Sequence, residues 1–248
     1  MEPSEITDLG HKLYSEDSGI ERRATEPKSP KSQEGPKTFQ DQLFESLEPR
    51  GDETKAKGFF SMGLLLELLS ETSVREELSV HLNNTHEPEA IDNLARQICS
   101  QQKNVPSYRK IFAILVLIEK TAAVTKFIAE CINDSDLPLV RAPTGRYNLR
   151  RSRALDQELN CFRTAWTPFQ VRNFEDWQWT TLAPFFARSK DRKKVEHYVL
   201  HDRVILPFLP DNQEEEICVK KELLGGGGRV FGTIIHPENH NFHKSLKV

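Results

Sequence analysis

Four consecutive glycines, Gly225 to Gly228, restrict the possible structure more than any other feature of the sequence. Such a run disfavours a helix and favours a tight turn, because glycine has no Cβ and loses the most backbone freedom on folding. The residues before the run, which end in Leu223-Leu224, and those after it, Val230 to Ile235, are typical of β-strands. The sequence therefore predicts a β-hairpin whose bare amides a polyanion such as a phosphate group could approach.

The predicted hairpin resembles the glycine-rich loop of eukaryotic protein kinases, whose pattern is G-x-G-x-x-G-x-V. A dinucleotide or P-loop site fits less well, because neither a helical pattern nor Gly-Lys-Ser/Thr follows the glycines. With Val230 as the valine, the second and third glycine positions are filled, and Leu223 departs from the pattern at the first. The resemblance implies an ATP-binding set of Gly225, Gly226, Gly227, Gly228 and Val230. A generic glycine hairpin is the alternative.

Further kinase-like features lie on both sides of the glycines. Phe242 to Val248 resembles a third kinase strand of the V-A-I-K type, which would make Lys247 the phosphate-contacting lysine. Phe174 to Trp179 and the acidic tract Glu214 to Glu216 are similar to the corresponding region of fungal serine/threonine protein kinase-like proteins. This resemblance covers roughly residues 160 to 248, and it implies ATP and magnesium as cofactors of phosphoryl transfer.

The elements that complete a kinase active site do not occur in this sequence. No H-R-D or D-F-G triplet is present, and the chain ends one residue after Lys247. In this family those elements supply the catalytic aspartate and the magnesium ligands. We therefore expect a fragment, truncated within the kinase N-lobe, that binds no cofactor and is inactive alone, and we assign no catalytic residue. The alternative is a non-catalytic interaction or regulatory protein that acts through its helices.

The first half of the chain divides into a polar tail and a helical module. Residues 1 to 57 are rich in Glu, Lys, Ser and Pro, which predicts a disordered tail. Residues 58 to 135 show apolar residues at helical spacing, which predicts a small bundle with a possible protein partner. We expect a new helix at Ser73, with a capping box to Glu76, and another that opens at Pro88. The longest helix should run from Ser107 to Ile132.

The second half changes from helix-dominated to strand-prone sequence. Residues 136 to 165 contain arginines around Pro143-Thr144-Gly145 and are predicted to be a basic linker, with a phosphate-binding or nuclear-import patch as the alternative. Residues 166 to 212 form an aromatic-rich segment that should lie in a core or seam. Residues 213 to 248 would be the start of a kinase N-lobe. The expected fold class is α+β.

Composition excludes several classes of function. A net charge of −3 argues against a nucleic-acid-coating protein, and the most apolar run is too short to span a membrane. The four cysteines form no C-x-x-C pair, so neither a zinc knuckle nor a disulfide framework is predicted. His236, His240 and His243 have helical spacing, but Pro237 favours a loop, so we assign no metal site. We expect an intracellular protein, either cytoplasmic or nuclear.

Overall fold

The computed structural model describes residues 37–49, 57–142, 148–154, 158–163, 165–189, 197–209, 223–225, 228–230 and 233–242. From residue 37 onward the chain forms one compact unit. The helices of the described residues are α1 (Phe39–Glu45), α2 (Met62–Leu68), α3 (Glu71–Leu82), α4 (Pro88–Ile98), α5 (Arg109–Leu117), α6 (Val124–Ala129) and α7 (Pro168–Trp177). The strands are β1 (Leu139–Arg141), β2 (Leu149–Arg151), β3 (Phe208–Leu209), β4 (Leu223–Gly225), β5 (Gly228–Val230) and β6 (Ile234–Ile235).

The strands form three antiparallel pairs, which are β1 with β2, β3 with β6, and β4 with β5. Helices make up most of the regular structure, and helix α5 lies at its centre. Ile111, Phe112, Ile114 and Leu115 of this helix are fully buried, and α1, α6 and α7 contact it. This mixture of helices and small sheets agrees with the predicted α+β class.

Helix α1 lies inside the segment that was expected to be disordered. Its capping box joins Thr38 and Asp41, and Leu43 is fully buried in the main core. Gln40 Nε2 also donates to the Leu117 carbonyl, at 3.0 Å. The prediction of disorder is therefore wrong for residues 37–49, because α5 supplies the apolar surface that a sparse sequence lacks by itself. Residues 1–36 and 50–56 lie outside the described residues.

Helices α3 and α4 begin at polar or proline residues, as capping chemistry requires. The opening of α4 at Pro88 is confirmed, with the proline at its first position. Helix α3 begins three residues earlier than expected, because Ser70 and not Ser73 is the N-cap. The Ser70 hydroxyl accepts from the Ser73 amide at 3.2 Å, while the Ser73 hydroxyl donates to the Leu68 carbonyl at 2.6 Å.

The prediction of one long helix from Ser107 to Ile132 is wrong, because the chain turns twice within it. Glu119 has a left-handed φ of 57°, and Lys120 N–H donates to the Leu115 carbonyl at 2.7 Å, which closes α5 with a Schellman motif. The same arrangement closes α6, where Cys131 has φ 54° and Ile132 N–H donates to the Phe127 carbonyl at 2.8 Å. Neither left-handed residue is a glycine.

The described residues between 136 and 165 are part of the fold, in contrast to the expected solvated linker. Strands β1 and β2 pair with Leu139 opposite Arg151, and Leu139 and Leu149 belong to the main core. Arg151 donates to the carbonyl groups of Glu130 and Cys131, at 3.0 and 3.1 Å, and pairs with Asp136 at 3.0 Å. Arg151 is therefore held by acceptors of the same unit. Arg146 lies outside the described residues.

The aromatic-rich segment contributes to the core, although only Phe174 and Trp179 among its described aromatic residues are buried. Trp166 and Phe174 pack against Phe127 and Phe162, with ring centroids 4.8 to 6.5 Å apart. Phe59, Trp179 and Ile205 form a second, smaller core. Three aromatics of the segment are exposed, namely Phe169, Phe185 and Tyr198. Within the strand-prone second half of the chain, residues 199–200 and 204–206 form no strand, and residues 217–219 lie outside the described residues.

Candidate functional site

The glycine hairpin has the strand pairing that the sequence predicted. Strands β4 and β5 pair with Leu223 opposite Val230, Leu224 opposite Arg229, and Gly225 opposite Gly228. Two of the predicted ATP-contacting glycines therefore face each other at the closed end of the hairpin. Gly226, Gly227 and Lys247 lie outside the described residues, so their position relative to the hairpin is not described.

Strands β3 and β6 bring together the residues on either side of the hairpin segment. Leu209 of β3 lies opposite Ile234 of β6, and Phe208 lies opposite Ile235. The glycine hairpin is in the segment between these two strands. The predicted second kinase strand, Val230 to Ile235, does not pair as one unit, since β5 pairs with β4 whereas β6 pairs with β3.

The residues that follow the hairpin are attached to helix α2. The Glu238 carboxylate accepts from the Gly63 amide at 2.8 Å, in the first turn of this helix, where a negative charge is favourable. A Cβ at position 63 would overlap the Glu238 carboxylate, so the close approach uses the missing side chain of Gly63. No periodicity signal could have revealed this contact, because 175 residues separate its partners.

His236 and His240 occupy structural positions in the described residues. The His236 ring lies edge-on to Phe59, with centroids 5.8 Å apart, and its Nε2 is 3.7 Å from a Glu48 carboxylate oxygen. His240 forms a bridge with Phe186, whose amide donates to the Asn239 carbonyl at 2.7 Å. The described residues contain no group of three or more His, Cys, Asp and Glu side chains arranged to hold a metal ion.

His201 and Arg203 both lie against Trp179, just after the end of α7. The His201 ring stacks on Trp179 at 4.6 Å, and the Arg203 guanidinium lies 5.5 Å from the centre of the same indole ring. Arg203 also pairs with Glu175 at 3.1 Å and with Asp176. Because these charges are paired with one another, the cluster has the character of a packed surface and not of an open binding site.

A half-buried carboxylate fixes the start of helix α5. Asp134 accepts from the Ile111 amide at 3.1 Å and from the Ser107 hydroxyl at 2.9 Å. Burial raises the pKa of Asp134, against these hydrogen bonds and the Lys110 charge, which favour the ionised form. Burial likewise lowers the pKa of Lys110. The pair explains why α5 begins here, since a carboxylate satisfies its first amides.

A cleft of about 440 Å³ lies where the ends of α3, α4 and α5 meet, and we name it the Arg109 cleft. Its lining comes from the first residues of α3 and α5, Glu71 and Arg109, and from the end of α4 with the segment after it, namely Arg96, Cys99 and residues 100–102. The sequence shows Arg109 only as a charge beside an apolar run. The cleft requires three helix ends that are distant in sequence.

No protein-family model matches the chain, and no curated protein or solved structure is similar to it at a significant level. The kinase resemblance therefore depends on the residues quoted above. None of the helices in the described ranges is both long and apolar enough to cross a bilayer.

Proposed function

We propose that this chain is the front region of a serine/threonine protein-kinase-like protein, in which a helical unit carries a glycine hairpin of the phosphate-covering kind. In that family the glycine-rich loop covers the phosphates of ATP, and a lysine from the third strand contacts them. On this proposal residues 1–248 act inside the cell as a regulatory and nucleotide-covering region. They neither hydrolyse ATP nor phosphorylate protein by themselves.

The register of the hairpin carries the proposal. Gly225 and Gly228 lie opposite each other, and the two residues between them are also glycines. A hairpin end without Cβ atoms lets backbone amides approach an anion more closely than any other residue type would. Leu223 and Val230 then form the next pair, which agrees with the valine position of the G-x-G-x-x-G-x-V pattern.

The base of the hairpin segment supports the same proposal. Because Leu209 and Ile234 are paired, the segment between them starts and ends at one fixed place on the helical unit. The Glu238 contact with Gly63 holds the returning chain against helix α2. A phosphate-covering loop needs such a fixed base, since precise positioning provides much of the catalysis of phosphoryl transfer.

The residues of the chain fit ATP in part. The glycines at the end of the hairpin suit the phosphate groups, and the proposal assigns Lys247 to them by resemblance. No residue of the chain is assigned to magnesium. When ATP is bound, its own chemistry supplies the phosphoryl group, and the hairpin contributes only backbone hydrogen bonds and shelter from water.

A specific observation favours the alternative, a non-catalytic interaction protein that acts through its helices. Strand β6 pairs with β3 and not with β4 or β5, so the described strands do not form one sheet of consecutive kinase strands. In this alternative the hairpin is a vestige, and the helical unit is the functional part of the protein.

The nucleotide sequence beyond codon 248 separates the two proposals. An in-frame continuation with a helix glutamate, H-R-D and D-F-G supports the kinase-like protein, whereas a stop codon supports the interaction protein. A radiolabelled-ATP assay with magnesium on residues 1–248, beside a Lys247→Ala variant, tests the expected inactivity. Turnover that disappears in the Lys247→Ala variant would mean that another part of this chain completes an active site.

A further inference from the structure

The floor of the Arg109 cleft is a buried cation. Arg109 is only 7% exposed, and its Nε donates to the Leu69 carbonyl at 3.2 Å. A guanidinium group has five N–H donors, and the other four belong to its two terminal amino groups. Within the described residues the guanidinium also hydrogen-bonds with the Cys99 side chain, but it donates to no second oxygen and forms no ion pair with a carboxylate. The charge is therefore buried beside a cleft without a protein counter-ion.

The neighbours of Arg109 provide an oxygen acceptor for one of its N–H donors and none for the others. The Leu69 carbonyl is at the C-terminal end of α2, and the Cys99 thiol donates to the same oxygen at 3.3 Å. Burial raises the pKa of Cys99, so this thiol is neutral and supplies no negative charge. A purely structural arginine would use its terminal amino groups inside the protein, because an unpaired buried charge is costly.

Apart from the charged Arg96 and Glu71 and from the Cys99 thiol, the lining offers neutral donors. The segment after α4 provides the Ser100 hydroxyl and the side-chain amides of Gln101 and Gln102. None of these three side chains makes a hydrogen bond to another described residue. A carboxylate has two acceptor oxygens, and the two terminal amino groups of Arg109 could bind both of them without further donors. Three further donors suit a tetrahedral group with three acceptor oxygens.

We propose that the Arg109 cleft binds a phosphate monoester, with the Arg109 guanidinium as the main contact and Ser100, Gln101 and Gln102 as further donors. A volume of about 440 Å³ exceeds what a phosphate group fills and lies in the range of sites that hold small molecules or single side chains. The cleft therefore also has space for the group that carries the phosphate. This proposal does not depend on the glycine hairpin or on kinase activity.

Glu71 limits the affinity of the cleft. This exposed residue is the acidic one among the lining residues, and it begins helix α3. Its carboxylate repels a phosphate dianion, although it can accept hydrogen bonds from an amide or hydroxyl of the group that carries the phosphate. Glu71→Gln removes the repulsion and retains a polar side chain, so it should tighten phosphate binding by about threefold, within the range of an exposed charge interaction.

The test is calorimetric titration of the full chain with O-phosphoserine, with inorganic phosphate, and with a phosphoserine peptide. Saturable binding of all three with similar affinity would assign the site to the phosphate itself, and tighter binding of the peptide would assign it to a phosphorylated protein. Serine and citrate serve as ligand controls. We expect no binding of serine, and citrate should bind at least about tenfold more weakly than O-phosphoserine.

Variants locate the binding in the cleft. Arg109→Lys retains the charge but loses the planar fork, so affinity should fall by about tenfold. If this buried variant does not fold, Gln102→Glu adds a negative charge to the cleft without changing Arg109, and it should cause a loss of similar size. Arg75→Gln removes a positive charge from α3 outside the cleft, where Arg75 pairs with Asp92 at 2.7 Å, and should bind as the unmodified chain does.

Three results would overturn the proposal. They are the absence of saturable binding up to about 10 mM ligand, equal affinity for citrate, and undiminished binding by Gln102→Glu. The expected inactivity of residues 1–248 toward ATP is unaffected by any of these outcomes.

Discussion

Replacement of Gln178 by leucine tests whether residues 136–165 belong to the folded unit. Gln178 is fully buried at the end of α7. Its Oε1 accepts from the Leu139 amide at 2.8 Å, and its Nε2 donates to the carbonyl groups of Leu139 and Glu175 at 3.0 and 3.1 Å. The side chain therefore pairs with β1 in the way that a third strand would.

The strand register shows that Leu139 has no other partner for these groups in β2. Ala142 N–H donates to the Asn148 carbonyl at 3.0 Å, and hydrogen-bonded and non-hydrogen-bonded pairs alternate along an antiparallel ladder. The amide and carbonyl of Leu139 consequently point away from β2 and toward Gln178. Leucine has nearly the same size as glutamine but forms no hydrogen bonds, so Gln178→Leu leaves both groups buried and unpaired.

The expected decrease in the free energy of unfolding of Gln178→Leu is large for a domain of this size. Each buried, unpaired backbone group costs about 1–3 kcal/mol, so the two groups of Leu139 should lower the free energy of unfolding by about 2–6 kcal/mol. The total for a domain is about 5–15 kcal/mol. Urea unfolding followed by circular dichroism measures the difference.

Two further variants make the measurement specific. Gln97 is exposed on α4 and has no side-chain hydrogen bond to a described residue, so Gln97→Leu should change the free energy of unfolding by less than about 0.5 kcal/mol. Gln178→Glu can donate to the Leu139 carbonyl only when protonated, so its deficit should be smaller near pH 4 than near pH 7. A Gln178→Leu loss no larger than that of Gln97→Leu would refute the pairing.

Three other predictions concern the described contacts. Glu119→Gly should raise the free energy of unfolding by about 1 kcal/mol, since φ is 57° there, and Glu119→Ala should not. Because the pKa of Asp134 is raised in the folded protein, ionisation of this carboxyl group destabilises the fold. The free energy of unfolding should therefore fall as the pH rises from the ordinary pKa near 3.8 through the higher pKa of the folded state. Asp134→Asn should remove this decline in a pH series of melting temperatures. A double-mutant cycle tests the contact of Glu238 with Gly63. Each of Gly63→Ala and Glu238→Ala should lower the free energy of unfolding by about 1 kcal/mol, and the double variant should lower it by no more than either single variant.

Local rules predicted the elements whose signals are local. Proline at the first position of a helix identified the start of α4, and β-prone residues on both sides of four glycines identified the β4–β5 hairpin. The ends of α5 and α6 gave no such signal. Sequence rules expect glycine at the left-handed position after a helix, whereas Glu119 and Cys131 occupy these positions here.

The arginines of residues 136–165 show why charge is a poor guide to exposure. The arginines lie beside Asp156 and Glu158 with little aromatic interleaving, which is typical of a solvated linker. Arg151 does pair with Asp136 of the same segment, but Arg141 pairs with Glu175 at 2.6 Å across 34 positions of sequence. Arg109 is the opposite case, because its position beside an apolar run gave no sign that it would be buried without a counter-ion.

The two candidate sites differ in how the fold supports them. The glycine hairpin belongs to a segment that joins the helical unit at the β3–β6 pair, so the strength of that pair limits how firmly the hairpin is positioned. The pair has only two residues in each strand, and the contact of Glu238 with Gly63 supplements it.

The Arg109 cleft is formed by three helix ends that pack directly on the main core. Ligand binding at the cleft should therefore stabilise the whole unit against unfolding, because it adds to the most cooperative part of the structure. Ligand binding at the hairpin alone should protect the amides of β4 and β5 from hydrogen exchange while the helices exchange as before.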